Sequence, residues 1–211
     1  MVASRRRCRI VRHATRVMFR RAVSLGLAIA GITFSTDAQE DVDSKAARAL
    51  DEVAVYRTFL KGYSNGAPGV VNLADRTTRL DPAKDIPAGC LTGVSLERVS
   101  PRSTARTLKA EIVKELNVRL VNAELQMSLV RKNDPSRSVG QSKSVEKAVG
   151  DAFASGLLQV SGIVFDTTHR YAVLKLEFHC GGLCGHGGVL VFEKSGYAWQ
   201  QSSRPCTNWV A

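Results

Sequence analysis

Apolar residues three and four positions apart predict a helix in the first third of the chain. Between residues 43 and 63 they recur at the spacing that lines one face of an α-helix. The segment 65–69, which contains glycine and proline, ends this pattern. Residues 70–75 then have the length and composition of a short strand, and the polar segment 77–93, with two prolines, predicts a loop.

A second helical stripe spans residues 103–133. Its apolar residues keep the same spacing without an interrupting proline or glycine, so one long helix is predicted there. Residues 118–121, which include two valines and a leucine, could instead form a strand. Residues 134–144 predict a polar loop, and residues 145–154 predict a short helix.

Beyond residue 157 the period of the pattern changes to two, which is typical of strands. The strand predicted at residues 171–180 has an apolar side made of Ala172, Leu174, Leu176, Phe178 and Cys180, and a polar side made of Lys175, Glu177 and His179. Further strands are predicted at 156–166, 188–194 and 197–210. These patterns predict an α+β fold, in which N-terminal and central helices pack on a C-terminal antiparallel meander.

Ten residues between two predicted strands, HCGGLCGHGG at positions 179–188, contain two cysteines, two histidines and five glycines. Such a stretch can reverse the chain through positive φ angles that other residues resist, so a tight turn is predicted here. The glycines of this turn are Gly181, Gly182, Gly185, Gly187 and Gly188.

The N-terminal region has the layout of a secretory signal. An arginine-rich opening is followed by a thirteen-residue apolar run, residues 22–34, and a polar segment with a cleavage site after Ala38. The run is too short to cross a membrane as a helix, which needs roughly twenty residues, so no membrane anchor is expected after cleavage. Met18 would begin a more ordinary signal. A periplasmic or secreted protein is predicted, with residues 39–211 as a single domain.

Charge gives no reason to propose a nucleic-acid partner. The whole chain has a formal net charge of +11, but the first 38 residues contribute eight arginines against one aspartate. The 22 basic and 18 acidic residues that remain leave a charge of +4. A surface of this charge is an ordinary feature of soluble proteins.

Four cysteines remain after the predicted signal, Cys90, Cys180, Cys184 and Cys206. An even number of cysteines in an exported protein predicts disulfides, and three pairings are possible from the sequence alone. A bridge between Cys180 and Cys184 would close the glycine-rich turn, and one between Cys90 and Cys206 would tie the last strand to the loop after the first helix.

Two other chemistries are open to this turn. His179, Cys180, Cys184 and His186 offer two thiolates and two imidazoles, a set that zinc or copper would accept. Strand alternation, however, points the side chain of His179 away from that of Cys180. A redox-active dithiol usually has two residues between its cysteines and lies at the start of a helix, and this pair has neither feature. No cofactor is expected.

The turn and its surroundings resemble a group of secreted bacterial proteins of unknown function. The residues that carry the resemblance are the C-G-G-L-C-G-x-G pattern at 180–187, the apolar run 189–194, Trp199, the terminal segment 208–211, and the segments 51–56 and 130–133. Membership in this group would imply an exported domain in which Cys180 pairs with Cys184. It implies no activity, cofactor or ligand, and the pairing of Cys90 with Cys206 rests on the cysteine count.

These observations favour an exported domain that binds a partner or has a structural role without catalysing a reaction. A metal-binding or thiol-redox protein that uses residues 179–186 is one alternative. An envelope hydrolase with an unidentified site is another, and its structural sign would be a polar pocket that holds Glu177, His179 and a partner from the helices.

Overall fold

The computed structural model describes residues 36–87, 89–97, 105–141, 143–204, 206 and 208–211. The predicted signal sequence, residues 1–38, lies outside these ranges except for residues 36–38. The described helices are α1 (Thr36–Gly66), α2 (Pro82–Asp85), a short 3-10 helix (Ala110–Ile112), α3 (Ala123–Lys132), α4 (Pro135–Gly140) and α5 (Val145–Ser155). The described strands are β1 (Val71–Ala74), β2 (Val118–Val121), β3 (Leu157–Val160), β4 (Val164–Phe165), β5 (Tyr171–Gly181), β6 (Cys184–Ser195), β7 (Ala198–Gln201) and β8 (Asn208–Val210). The α+β class predicted from the sequence is confirmed.

Helix α1 includes the predicted helix at 43–63 and packs on the sheet through one apolar face. The buried residues of this face are Val55, Tyr56, Phe59 and Leu60. One turn earlier, the Asp51 carboxylate accepts hydrogen bonds from Lys194 Nζ at 2.8 and 2.9 Å and from Trp199 Nε1 at 3.0 Å. These contacts fix α1 against β6 and β7.

In the described part of the chain, eight strands form one mixed sheet. The order is β2-β1-β3-β5-β6-β7, while β4 pairs with β5 and β8 pairs with β6. Strand β1 runs parallel to β2 and β3, so the predicted antiparallel meander is correct for β5–β7 and wrong for the whole sheet. Parallel strands need long connections, and α3, α4 and α5 connect β2 to β3. The four residues of β1 carry too little pattern to reveal these partners.

The long helix predicted at 103–133 is wrong, and the alternative strand at 118–121 is confirmed. Val118 is buried in the main core, and β2 pairs with β1 along its whole length. Helix α3 begins only after Asn122, whose side-chain oxygen accepts a hydrogen bond from the Leu125 N–H at 3.0 Å. Asparagine is a favoured N-cap residue, so the apolar stripe divides at this residue into a strand and a helix.

Strand β5 separates two packed layers. The side predicted to be apolar contacts the main core that includes α1, and its residues are Ala172, Leu174, Leu176, Phe178 and Cys180. Val173 lies on the opposite face, in a smaller cluster with Leu80, Val164 and Val189. Helix α3 covers the other end of that face, where Val130 packs against Leu157. The alternation predicted for residues 171–180 is therefore confirmed.

Candidate functional site

A cavity of about 760 Å³ opens between the end of α1, β1, helix α5 and the sheet. Tyr63 and residues 66–72 form one side of the cavity, and one face of α5 forms another. Phe178 of β5 and His186 of β6 complete the lining. The cavity is therefore assembled from three segments that are far apart in the sequence.

One stripe of residues on helix α5 faces this cavity and is not part of the core. Glu146, Val149, Gly150, Phe153 and Ala154 follow the helical spacing and line the cavity. Val149 and Phe153 remain 39% and 40% exposed, whereas the helix buries Ala148 and Ala152 elsewhere. A Cβ added to Gly150 would meet no atom within 4 Å. The stripe thus offers apolar surface and open space to a bound molecule.

Four aromatic rings lie in a row along the cavity wall. The ring centroids of Tyr63 and His186 are 5.8 Å apart, those of His186 and Phe178 are 5.1 Å apart, and those of Phe178 and Phe153 are 5.9 Å apart. These separations are in the range of favourable aromatic contacts. The row connects the end of α1 to α5 across the sheet.

One hydrogen bond joins the two polar rings of this row. The Tyr63 hydroxyl lies 3.0 Å from His186 Nε2, and the imidazole tautomer decides which group donates. Burial raises the pKa of Tyr63 well above its ordinary value and lowers the pKa of His186 below 6.5. At neutral pH both groups are therefore uncharged.

The predicted turn is shorter than its glycine content suggests. Only Gly182 and Leu183 form the turn, and β6 begins at Cys184 rather than at Gly188. The glycines before and after it are explained by close packing. A Cβ on Gly181 would lie 2.7 Å from Pro135 Cδ, and the Gly182 N–H donates to the Asp134 carboxylate at 2.6 Å.

Trp209 of β8 explains the glycine at position 187 of β6. Strand β8 pairs with β6 so that Trp209 is opposite Gly187 and Asn208 is opposite Gly188. A Cβ on Gly187 would lie 2.6 Å from Trp209 Nε1, whereas the close contact of one on Gly185 would be the Phe178 carbonyl oxygen at 2.7 Å. The indole therefore occupies space that a side chain at residue 187 would need.

The structure pairs Cys180 with Cys184 and Cys90 with Cys206, with Cα–Cα distances of 5.0 and 5.1 Å. Neither bridge lies in the cavity lining. The first closes the turn between β5 and β6. The second joins the segment after α2 to the chain just before β8.

The alternative metal set of His179, Cys180, Cys184 and His186 is not assembled. Both cysteines are oxidised in one disulfide. His186 is opposite Phe178 in the sheet and His179 is opposite Gly185, so the two imidazoles lie on opposite faces. Among the described residues, no group of three or more histidine, cysteine, aspartate or glutamate side chains is placed to hold a metal ion.

Glu177 and His179 come together outside the cavity. Glu177 lies 3.6 Å from His179 Nε2 and 3.0 Å from Lys175 Nζ, and Lys175 also contacts Asp85 of α2 at 3.2 Å. These groups are on the face of β5 opposite Phe178. Glu177 and His179 therefore belong to an ion-pair cluster that includes Asp85 of α2, and neither lines the cavity beside α5.

No sequence pattern predicts the cavity itself. His186 enters the sequence predictions only as a metal ligand and Tyr63 only as part of a helix. The one usable signal was in α5, where Val145, Val149 and Phe153 repeat every four residues beside buried alanines. That spacing gives the short helix a second apolar face.

No family model matches the chain, and comparison with curated proteins and with solved structures finds no significant match. None of the described helices is both long enough and apolar enough to cross a membrane.

Proposed function

We propose that this protein is an exported, disulfide-stabilised binding module, and that the cavity beside α5 takes a small, largely apolar molecule. The observation that carries the proposal is the lining of this 760 Å³ cavity, which combines aromatic and aliphatic side chains with four polar ones, Tyr63, Asn72, Glu146 and His186, of which Tyr63 and His186 form a hydrogen-bonded pair. Ligand sites of this size are typically apolar with a few fixed polar groups.

The state of the cysteines supports the exported part of the proposal. All four cysteines of residues 39–211 are in disulfides, and such bridges persist mainly in oxidising compartments. The basic and then apolar N-terminal segment agrees with export. The resemblance to secreted bacterial proteins with the C-G-G-L-C-G-x-G pattern points the same way.

The polar pair suits binding better than acid–base chemistry. Tyr63 ionises only far above neutral pH because it is buried, so it acts as a neutral hydrogen-bonding group. His186 is uncharged at neutral pH and hydrogen bonds to that phenol. A neutral polar group of a ligand can exchange hydrogen bonds with these two side chains while its apolar part contacts Val149 and Phe153.

The proposal is tested by filling the cavity. Gly150→Leu adds a side chain in open space on the lining face of α5, and leucine also favours a helix more than glycine does. Gly62→Leu is the matched control, because Gly62 is an exposed helical glycine with equal free space that does not line the cavity.

The probe is the neutral dye N-phenyl-1-naphthylamine, and its binding is measured by its fluorescence. We expect saturable binding to the oxidised wild-type protein and to Gly62→Leu, and an affinity at least about tenfold weaker for Gly150→Leu, a loss of about 1.4 kcal/mol or more. Equal binding to all three proteins, or no binding to the wild type, would contradict the proposal.

A further inference from the structure

We propose that the cavity prefers amphiphiles with a positively charged head, such as an alkyl chain that ends in a quaternary ammonium group. This inference rests on the proposed binding function and adds the charge of the ligand to it. Four features of the cavity support it, namely its charged residues, the helix ends beside it, its aromatic rings and its apolar stripe.

The one formal charge on the described lining of the cavity is negative. Of the sixteen described residues that line it, Glu146 is the only one with a formal charge, and none is lysine or arginine. Lys143 and Lys147 share the single carboxylate of Asp151, at 3.2 and 3.3 Å, so this group keeps one positive charge, and none of the three residues lines the cavity. Arg119 of β2 also lies outside the lining, and its Nε donates to the side-chain oxygen of Asn72 at 2.7 Å.

Two helix C-termini lie at the cavity. Gly66 ends α1, and Ala154 and Gly156 flank the end of α5, and all three line the cavity. The C-terminal end of a helix carries a partial negative charge, which cations stabilise. Neither helix has a basic residue in its last turn, whereas α3 has two.

A neutral side chain caps the end of α5. The Asn72 amide donates to the carbonyl oxygens of Ala154 and Gly156 at 3.1 and 2.8 Å. The Arg119 guanidinium, which donates to the side-chain oxygen of Asn72, is separated from these carbonyls by the Asn72 side chain. A ligand cation near this end of the helix would therefore meet no protein cation among the lining residues.

The rings favour the same kind of head group. Tyr63, Phe153 and Phe178 line the cavity, and the negative faces of aromatic rings attract cations, quaternary ammonium groups above all. His186 is uncharged at neutral pH because burial lowers its pKa, so it does not repel a cation.

The size of the cavity requires a ligand that has an apolar body as well as a charged head group. Its volume of about 760 Å³ exceeds what a small ammonium ion would fill, and Val149 and Phe153 expose apolar surface inside it. An alkyl chain or ring system on these side chains would cover that surface. The occupant is thus a cationic amphiphile rather than a free inorganic cation.

The test compares three probes that share one chain and differ in head group: octyltrimethylammonium, 1-octanol and octanoate. Each probe is titrated against a complex of the oxidised wild-type protein with N-phenyl-1-naphthylamine at neutral pH and low salt, and displacement of the dye is measured. We expect the ammonium compound to displace the dye at a concentration about tenfold lower than octanoate, with octanol between them. High salt should reduce the difference, because Glu146 is exposed.

Glu146→Gln should reduce the preference for the ammonium probe about threefold and leave octanol unchanged. Glu124→Gln is the matched control, since Glu124 is an exposed acidic residue in the first turn of α3, as Glu146 is in α5. If octanoate and octanol displace the dye as well as the ammonium probe, the charge preference is wrong while the binding function stands. If the wild type binds neither dye nor probes, both are wrong.

Discussion

The phenyl ring of Phe178 occupies the space that a side chain at residue 156 would need. A Cβ built on Gly156 would lie 2.3 Å from Phe178 Cζ and 2.6 Å from Cε2. Gly156 connects α5 to β3, and both residues line the cavity. Because residue 156 has no side chain, the ring of Phe178 can form part of the cavity wall.

Replacing Gly156 by alanine should displace Phe178. We expect Gly156→Ala to lower the free energy of unfolding by about 1–3 kcal/mol, as overpacking typically does, and to weaken dye binding because the ring moves in the wall. Urea unfolding and dye titration measure the two effects. Gly162→Ala is the control, since a Cβ there meets nothing within 4 Å. An unchanged stability of Gly156→Ala would show that the ring moves at no cost.

Replacing Gly187 by alanine should disturb the pairing of β8 with β6. The added Cβ would lie 2.6 Å from Trp209 Nε1 and 2.7 Å from the Leu176 carbonyl oxygen. We expect a loss of about 1–3 kcal/mol in the free energy of unfolding and a change in the emission of Trp209. Trp199→Phe, made in both backgrounds, isolates this signal because the chain has only two tryptophans. An emission spectrum identical to that of the parent would contradict the predicted displacement.

Histidine 186 should make stability depend on pH just below neutrality. Its pKa in the folded protein is lower than the ordinary value of 6.5, so the unfolded chain takes up the proton more readily. The stability that neutral His186 contributes is therefore complete above about pH 6.5 and is lost as pH falls through 6.5 toward the folded-state pKa.

The measurement is the free energy of unfolding between about pH 7.5 and pH 5.5, where carboxylates with lowered pKa values stay ionised. We expect the wild type to lose more stability over this range than His186→Asn. The His169→Asn variant serves as control because His169 pairs with Glu97 away from the cavity. Parallel pH profiles for wild type and His186→Asn would argue against a depressed pKa.

The hydrogen bond between Tyr63 and His186 should itself contribute to stability at neutral pH. Tyr63→Phe removes the hydroxyl that lies 3.0 Å from His186 Nε2 but keeps the ring. We expect a loss of about 0.5–1.5 kcal/mol at neutral pH, the usual value for one hydrogen bond. The double variant with His186→Asn should lose less than the sum of the two single changes. Strict additivity would mean that the two groups do not interact in solution.

The two disulfides should differ in their contribution to stability. Cys90 and Cys206 are 116 positions apart and Cys180 and Cys184 only four, so loop entropy gives about 5 kcal/mol for the first bridge and about 2 for the second. Double serine variants of each pair, compared by urea unfolding under oxidising conditions, measure the difference. A larger loss from the short bridge would mean that packing of the turn against α4 outweighs loop entropy.

Helix α1 and strand β5 were predictable because each repeats one period over ten residues or more. A long stripe was not sufficient, since the one at 103–133 spans both a strand and a helix. Strand β2 has four residues whose spacing also fits a helix, so only its pairing with β1 and the cap at Asn122 distinguish it. The parallel direction of β1 was not predicted because its four residues carry too little pattern.

The cavity was not predictable because no single segment contains it. Tyr63, Phe153 and His186 come from α1, α5 and β6, and they meet only when the parallel pairing of β1 with β3 brings these elements together. The reason for the glycines near the start of β6 was not predictable from the sequence either. The sequence shows glycines at 185 and 187, but the indole of Trp209 that excludes a side chain at 187 lies more than twenty positions later.

The bridge between Cys90 and Cys206 also determines how the molecule would respond to a pulling force. Strands β2 to β7 lie inside the covalent loop that it closes, whereas α1, β1 and α2 precede the loop and β8 follows it. Tension applied between the two ends of the chain would pass through the sulfur atoms, so the loop could not lengthen while the bond stays oxidised. Extension would be confined to the segments outside the loop, where β8 would separate from β6 at one end and α1 would unfold at the other, with β1 drawn out from between β2 and β3.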